Sequence, residues 1–117
     1  MAKVAIIVNS TEPRCVYPPF LLGSSAQAIG DEVILFFTPG GSLILKTGEL
    51  EKLKAKGLPD MEDLVKKFHM LGGKVYICAL ALEAKDIKKE ELRKDVMIIG
   101  ATEFMTMASG CTVTFSF

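Results

Sequence analysis

The thiol chemistry of this chain rests on three cysteines, Cys15, Cys78 and Cys111. Their number is odd, they form no CxxC pair, and no Cys/His spacing suits zinc, so neither a disulfide framework nor a metal site is indicated. We therefore expect no metal ion and three free thiols in a reducing, cytoplasmic compartment. A thiolate is a nucleophile, so the position of each cysteine decides what it can do.

Cys78 has the position best suited to reactivity. It ends a predicted strand over residues 74–78, and a short helix or turn is predicted to follow over residues 79–84. Backbone N–H groups and the positive end of a helix stabilise a thiolate at such a point. The competing interpretation is a small buried core residue, a common role for free cysteine. Position alone leaves both interpretations open.

Simpler interpretations suit the other candidate residues. Cys111 opens the last predicted strand, at the amino edge of the sheet, and is predicted to be structural. Cys15 falls in the predicted loop after the first strand, where it could accept sulfur, resolve a disulfide or have no role. His69 is the single histidine, lies in an amphipathic helix and has no nucleophile arranged beside it in the sequence. We interpret it as a helix-surface or packing residue.

Strands and helices alternate along the sequence. Apolar runs without alternation predict strands covered on both faces, and a final alternating run predicts a half-buried edge strand. The predicted strands are residues 3–8 (the central strand), 31–38, 74–78, 96–99 and 111–117. Apolar or charged patterns predict helices over residues 20–29, 60–71, 88–94 and 103–108. Residues 42–58 allow no firm prediction, although residues 43–45 could form a helical turn and residues 46–57 are typical of a solvated, mobile excursion.

This order of elements predicts one α/β domain over residues 1–117, with a five-stranded, mostly parallel sheet between helices. Ligands bind such sheets at the carboxyl ends of the strands. The sequence therefore predicts a functional edge at which Cys78 is accompanied by pocket residues. The proposed pocket residues are Ser10, Thr11, Thr38, Gly40 and Thr102.

Charge and motifs exclude several classes of function. The 14 basic and 14 acidic residues cancel, so nucleic acid is not an expected partner. No apolar stretch approaches the roughly 20 residues that cross a bilayer, so no membrane association is expected. Neither GxGxxG nor GxxxxGK[ST] occurs, and residues 10–13 make a poor phosphate loop for a flavin.

Four segments carry a resemblance to a known family: KVAIIVNS, then FLLGSSAQAIGDEV leading into ILFFTPGG, then MEDLVKKFHMLGGKVYICALALEAKDI, and finally IIGATEFMTMASGCTVTFSF. In this order they resemble the DsrE-like family of small sulfur-relay proteins, which includes the DsrE, DsrF and TusD types. The most specific parts are FFT with its following glycine and the cysteine before the Ala/Leu-rich turn. The resemblance implies a flavodoxin-like, three-layer α/β/α fold.

The resemblance also implies a function for Cys78. In sulfur-relay members the cysteine at this position takes a sulfane sulfur, holds it as a persulfide and passes it on. We therefore predict a sulfurtransferase-like carrier with a protein sulfur donor and acceptor, no cofactor, and assembly into trimers or hexamers. Some family members lack the cysteine, and Glu12, Arg14 and the Lys-rich segment match no motif of the family.

Two other functions remain open at this point. A non-catalytic oligomeric module could hold a small ligand between subunits at the strand ends, and Cys78 would then be an ordinary thiol. A flavin or nucleotide could also occupy a flavodoxin-like sheet, although no phosphate loop supports this. The sulfur-carrier hypothesis and the binding-module hypothesis both predict self-association through apolar surface on residues 20–29 or 104–107.

Overall fold

A computed structural model describes residues 2–117, and its five strands form one sheet. The strands are β1 (Lys3–Val8), β2 (Glu32–Phe37), β3 (Lys74–Cys78), β4 (Val96–Ile99) and β5 (Val113–Ser116). They lie in the order β4-β3-β2-β1-β5, and every neighbouring pair is parallel. The predicted α/β class is confirmed. The prediction that β1 is central was wrong, because β5 pairs outside β1 and leaves β2 in the middle.

Four α-helices connect these strands: α1 (Pro13–Ala28), α2 (Met61–Met70), α3 (Ala79–Ala84) and α4 (Ala101–Ala108). Shorter 3-10 turns occupy Pro39–Leu45, Leu50–Lys52 and Lys89–Glu91. Within residues 2–117, none of the helices has both the length and the apolar character needed to cross a membrane.

Helix α1 begins at Pro13, well before the predicted start at Phe20. The added segment contains Pro18 and Pro19, which lack the N–H that an interior helical residue donates; each such loss costs about 3 kcal/mol or more. In the structure, Tyr17 and Phe20 are fully buried beside these prolines. Each such side chain contributes roughly 1.5–3 kcal/mol by leaving water, which offsets the lost hydrogen bonds.

Helix α2 follows the predicted pattern closely. Its buried residues form one stripe, and the carboxylate of Asp60 at the N-cap accepts a hydrogen bond from the Asp63 N–H at 3.3 Å. Acidic residues occupy its first turn and Lys67 and His69 its last, which suits the helix dipole. The buried stripe consists of Met61, Leu64, Val65 and Phe68.

Two charged segments differ from their predictions. Residues 46–57 were expected to form a solvated excursion, but Leu50 is only 1% exposed and anchors the segment in the core. Lys46 also forms an antiparallel bridge with Leu92. Residues 88–94 were expected to be a helix, but only Lys89–Glu91 forms a 3-10 turn. The backbone hydrogen bond from Arg93 to Leu45 (3.0 Å) draws this segment into an extended path instead.

The two faces of the sheet are covered unequally. The first face packs its large core against α1, α2 and α3 and includes Phe20, Phe37 and Phe68. On the second face, the buried side chain from a helix is Phe104 of α4. Its smaller core consists of Ala5, Ile34, Phe36, Cys78, Ile99 and Phe104. The second face therefore carries a single short helix where the first carries three.

Strand β5 lies at the sheet edge, as predicted, but it is not half-buried. All four of its residues are exposed, and Phe115 is 39% exposed. Helix α1 packs over β1 and β2, so it covers the middle of the sheet and leaves β5 exposed. The alternation of the sequence over residues 111–117 correctly predicted a strand, but it did not predict how far the side chains of this strand are exposed.

His69 joins α2 to the segment before β4. Its Nε2 lies 3.2 Å from Oδ2 of Asp95. Arg93 also donates to this carboxylate, from Nε to Oδ1 at 3.0 Å and from Nη2 to Oδ2 at 3.1 Å. Arg93 in turn contacts Glu51. The residues that line the adjacent space include no Ser, Thr or Cys. The geometry therefore gives His69 a structural partner and no nucleophile.

Burial and neighbouring charges shift the pKa values of His69 and Asp95 in this network. Burial lowers the pKa of His69 and outweighs the raising effect of Asp95. Burial alone would raise the pKa of Asp95, but the hydrogen bonds and charge of Arg93 together hold it below its usual value. The folded state therefore favours neutral His69 and ionised Asp95.

We predict that the free energy of unfolding falls as the pH drops below about 6.5, because the unfolded chain then protonates His69 more readily than the folded chain does. In His69→Gln this loss should largely disappear down to about pH 5, above the range in which Asp95 titrates. Urea denaturation across that range measures it. Equal pH slopes for the two proteins would contradict the assignment.

Candidate functional site

The carboxyl ends of the parallel strands meet at one edge of the sheet. Along that edge lie Thr102 after β4, Cys78 at the end of β3, Thr38 and Gly40 after β2, and Ser10 and Thr11 after β1. All the residues predicted for the site therefore lie at this edge. They divide into two groups, one around Cys78 and one around the turn that follows β1.

Cys78 is the last residue of β3 and the N-cap residue of α3. It pairs with Ile99 in the register of β3 and β4, and its side chain belongs to the second face of the sheet. The residue is only 4% exposed and lies in a cluster with Phe36, Ile99 and Phe104. The candidate thiol is therefore covered by apolar side chains in this structure.

An aromatic stack lies in the same core cluster as Cys78. The rings of Phe36 and Phe104 lie face to face, with centroids 4.2 Å apart and planes inclined by 10°. Phe104 is the one buried residue of α4, and the other side chains of this helix are exposed or half-buried. Phe36 belongs to the FFT motif and Phe104 to the apolar stretch 104–107, but neither was predicted to pack near Cys78. Alternation along β2 places Phe36 on the same face as Cys78 in the paired strands.

A polar group surrounds the end of β1. The Thr38 hydroxyl donates to Oδ1 of Asn9, and the Thr38 N–H donates to the carbonyl of Val8 at 3.1 Å. Ser10 accepts the N–H of Glu12 at 3.1 Å through its hydroxyl oxygen. Asn9 is exposed and was missing from the predicted pocket, although the same polar turn contains it. Among residues 2–117, none of these side chains hydrogen-bonds to the sulfur of Cys78.

Close backbone contacts hold the turn after β2 against the turn after β1. A Cβ atom on Gly40 would lie 2.5 Å from the carbonyl oxygen of Asn9, and one on Gly41 would lie 2.6 Å from that of Val8. Both distances are shorter than contact allows. Glycine at these two positions lets the loops approach each other, which gives Gly40 a structural explanation at the predicted site.

The remaining predicted residues occupy separate positions. Cys15 lies in the first turn of α1, not in a loop, because the helix begins earlier than expected. Thr102 is exposed in the first turn of α4 and its carbonyl accepts the Thr106 hydroxyl at 3.1 Å. Cys111 is half-buried against the second-face core, in keeping with a packing role. All three cysteines are free thiols.

An open apolar groove runs beside α4 on the second face. It has a volume of about 480 Å³ and lies between the helix and strands β1 and β5. Its lining residues are Ala5, Ile7, Phe104, Met105, Ala108, Ser109 and Thr114. Across residues 2–117, no group of three or more His, Cys, Asp or Glu side chains is placed to hold a metal ion.

Comparison with known protein families decides the relationship of this chain. The model of the DsrE/DsrF-like family matches residues 2–117. The chain belongs to the DsrE/DsrF-like family. The resemblance that the sequence motifs suggested is thereby confirmed over almost the whole chain.

Two relatives of this chain are much longer proteins. An uncharacterized protein of Methanocaldococcus jannaschii is 26% identical over 106 residues, which cover 88% of this chain and 38% of the relative. The sulfur carrier protein DsrE2 of Allochromatium vinosum is 40% identical over 73 residues, which cover 60% of this chain and 46% of the relative. The matched region thus spans less than half the length of either relative.

Solved structures confirm the fold of this DsrE/DsrF-like chain. The ychN protein of E. coli matches with a TM-score of 0.79 and 15% identity, covering 100% of both chains. A protein of unknown function from Methanobacterium thermoautotrophicum matches with a TM-score of 0.70 and 12% identity, covering 98% of this chain and 99% of that one. At these identities the likeness shows the fold alone.

We predict that Gly41→Ala lowers the free energy of unfolding by about 1–3 kcal/mol, because the new methyl group forces the two site loops apart. Gly100→Ala is the control, since a Cβ there meets nothing within 4 Å and only a weaker helix cap is expected. Urea denaturation of both variants measures the difference. Equal losses would show that the close approach of the loops is unimportant.

Proposed function

We propose that this DsrE/DsrF-like protein carries sulfane sulfur as a persulfide on Cys78 and passes it to an acceptor protein. One observation carries the proposal: Cys78 of this family member is the last residue of β3, on the carboxyl edge of a parallel sheet. The relative from Allochromatium vinosum, which is named a sulfur carrier, supports the same direction. A reducing cytoplasmic location fits the free thiol that this chemistry requires.

The proposed transfer is a thiol–disulfide type of exchange and needs no external oxidant. The Cys78 thiolate attacks the outer sulfur of a donor persulfide, R–S–SH, and forms a new S–S bond. The donor S–S bond breaks, and its electron pair leaves on the thiolate R–S⁻. The persulfide of Cys78 then gives its outer sulfur to an acceptor thiolate by the same step. Sulfur moves and the total oxidation state is unchanged.

The burial of Cys78 sets a condition on this proposal. A residue that is 4% exposed has no open approach for the outer sulfur of a protein-bound persulfide. Local movement around the Phe36–Phe104 stack must therefore accompany transfer. The edge residues Ser10, Thr11, Thr38, Gly40 and Thr102 are proposed to lie within the surface on which donor and acceptor proteins dock.

A non-catalytic binding module is the second candidate function. The open groove of about 480 Å³ beside α4 favours it, because a mainly apolar cleft on a sheet face is typical of small-ligand sites. In that case Cys78 serves only to pack the second-face core. Replacing Cys78 by Ala would then leave ligand binding intact.

We predict that the wild-type protein gains about 32 Da for one sulfur atom when incubated with a persulfide-loaded donor protein. The gain should be absent in Cys78→Ser and should persist in Cys15→Ser and Cys111→Ser. Intact-protein mass spectrometry under non-reducing conditions measures it. The serine variants at the other two thiols are matched controls for nonspecific sulfur uptake.

Two results would count against the persulfide proposal. One is the absence of any mass gain on the wild-type chain with a donor that loads another carrier in the same assay. The other is a gain that survives Cys78→Ser and disappears with Cys15→Ser, which would move the carrier role to helix α1.

We also propose that the chain forms a homo-oligomer, a trimer or hexamer, through the second face of the sheet. Strands of parallel sheets are normally covered on both faces, yet Met97 is 45% exposed and Met105 is 65% exposed here. A second copy is the proposed cover because the net charge is zero, so copies do not repel one another strongly.

We predict that Met105→Glu shifts the assembly toward the monomer, because a carboxylate buried between subunits loses its hydration. Lys85→Glu on α3's exposed C-cap makes a charge change away from this face and should leave the assembly unchanged. Sedimentation velocity of the wild type and both variants measures the distribution. A wild-type protein that is monomeric at high concentration would end this proposal.

A further inference from the structure

We infer that Phe104 is an aromatic lid that seals Cys78, and that sulfur exchange requires this ring to leave its position on Phe36. The inference rests on the proposed function for its biological meaning. Its physical content, control of access to one thiol, stands on the geometry of the second face.

The first observation is how α4 is attached. The helix has 8 residues, and Phe104 is the one of them that is buried. Helices of this length are marginal in water without tertiary contacts. Gly100 at its N-cap uses no side-chain hydrogen bond, and Gly110 beyond its C-terminus adopts φ +86°. Phe104 is therefore the one buried side chain that attaches α4 to the sheet, alongside half-buried Met107 and Ala108 and the hydrogen bond from Nζ of Lys3 to the Met107 carbonyl at 2.7 Å.

The second observation is what that ring covers. Phe104 shares the second-face core with Cys78 and Ile99, and it stacks on Phe36, which lies on the neighbouring strand β2. The first-face helices lie on the opposite side of the sheet and cannot replace this cover. Removing the ring consequently opens the second-face core, of which the thiol is a part.

The third observation is a place for the displaced ring. The open groove beside α4 is lined by Phe104 itself together with Ala5, Ile7 and Ala108. A ring that turns into this apolar groove exchanges one set of apolar contacts for another and does not enter bulk water. This lowers the penalty of opening relative to full exposure of the ring.

The consequence concerns the class of molecule that can reach the sulfur. A closed lid excludes small oxidants and free thiols from Cys78, which would otherwise consume a persulfide. A protein partner that contacts α4 and the groove can hold the lid open, because it binds the open conformation better than the closed one. The lid would therefore favour exchange with docked proteins over exchange with small thiols in solution.

Alkylation by iodoacetamide tests the lid without any sulfur donor. The rate at each cysteine is followed by peptide mass spectrometry in the wild type, Phe104→Ala, Phe104→Leu and Thr106→Ala. Thr106 lies on the same helix, is exposed and is not among the residues that line the groove, so its variant is the matched control. Cys15, half-buried on α1 and remote from the second-face core, is the internal reference in every sample.

We expect Cys78 to react slowly in the wild type and in Thr106→Ala, and about tenfold faster or more in Phe104→Ala, because local opening limits the reaction of a buried thiol. The rate at Cys15 should stay constant. Phe104→Leu keeps an apolar side chain but loses the stack, so a smaller acceleration is expected. If Phe104→Ala unfolds the protein and accelerates alkylation of all three thiols, the test rests on Phe104→Leu, in which Cys78 should still react faster than in the wild type while Cys15 does not.

The lid is overturned if Cys78 of the wild type reacts as fast as Cys15, or if neither Phe104 variant accelerates Cys78 selectively. These outcomes are independent of sulfur carriage. A wild-type chain that fails to take up sulfur, while its alkylation pattern follows the expectation, would remove the persulfide proposal and leave the lid in place.

Discussion

The packing of Cys78 in one core with the stacked rings of Phe36 and Phe104 is the interaction on which the functional interpretation depends. Side chains alternate along β3, so Val75 and Ile77 enter the first-face core and Cys78 turns to the second. A shift of one residue in the register would place the thiol under α1 and α2 instead. The pairing of β3 with β2 and β4 therefore determines which helix covers the sulfur.

Unequal cover of the two faces gives the molecule a stable half and an open half. The first face buries three phenylalanine rings, Phe20, Phe37 and Phe68, and their contacts link α1, α2 and the sheet. The second face relies on one short helix and leaves apolar side chains such as Met97 exposed. Regions with few buried apolar contacts open at the lowest free energy, so movement at Cys78 need not disturb the main core.

The elements whose own side-chain pattern is strong were predictable from the sequence. Strands β1, β3 and β4 and helix α2 agree with their predicted bounds closely, because continuous apolar runs and a 3.6-residue stripe are local signals. The start of α1 was not predictable in this way. Its prolines disfavour a helix locally, and the burial of Tyr17 and Phe20 against the sheet outweighs that preference. For the same reason, the sequence did not predict that Cys15 lies within this helix.

Sequence alone determined the α/β class, the family and the location of Cys78 at the end of a strand, since each depends on the order and local pattern of residues. Only the tertiary structure decided that β2 is central, that Gly40 and Gly41 contact the turn after β1, and that Phe104 shares a core with the buried thiol. These features join residues far apart in the chain. Such contacts are stabilised by packing between distant segments, which a local sequence pattern does not describe. The burial of the Cys78 side chain was therefore visible only in the folded structure.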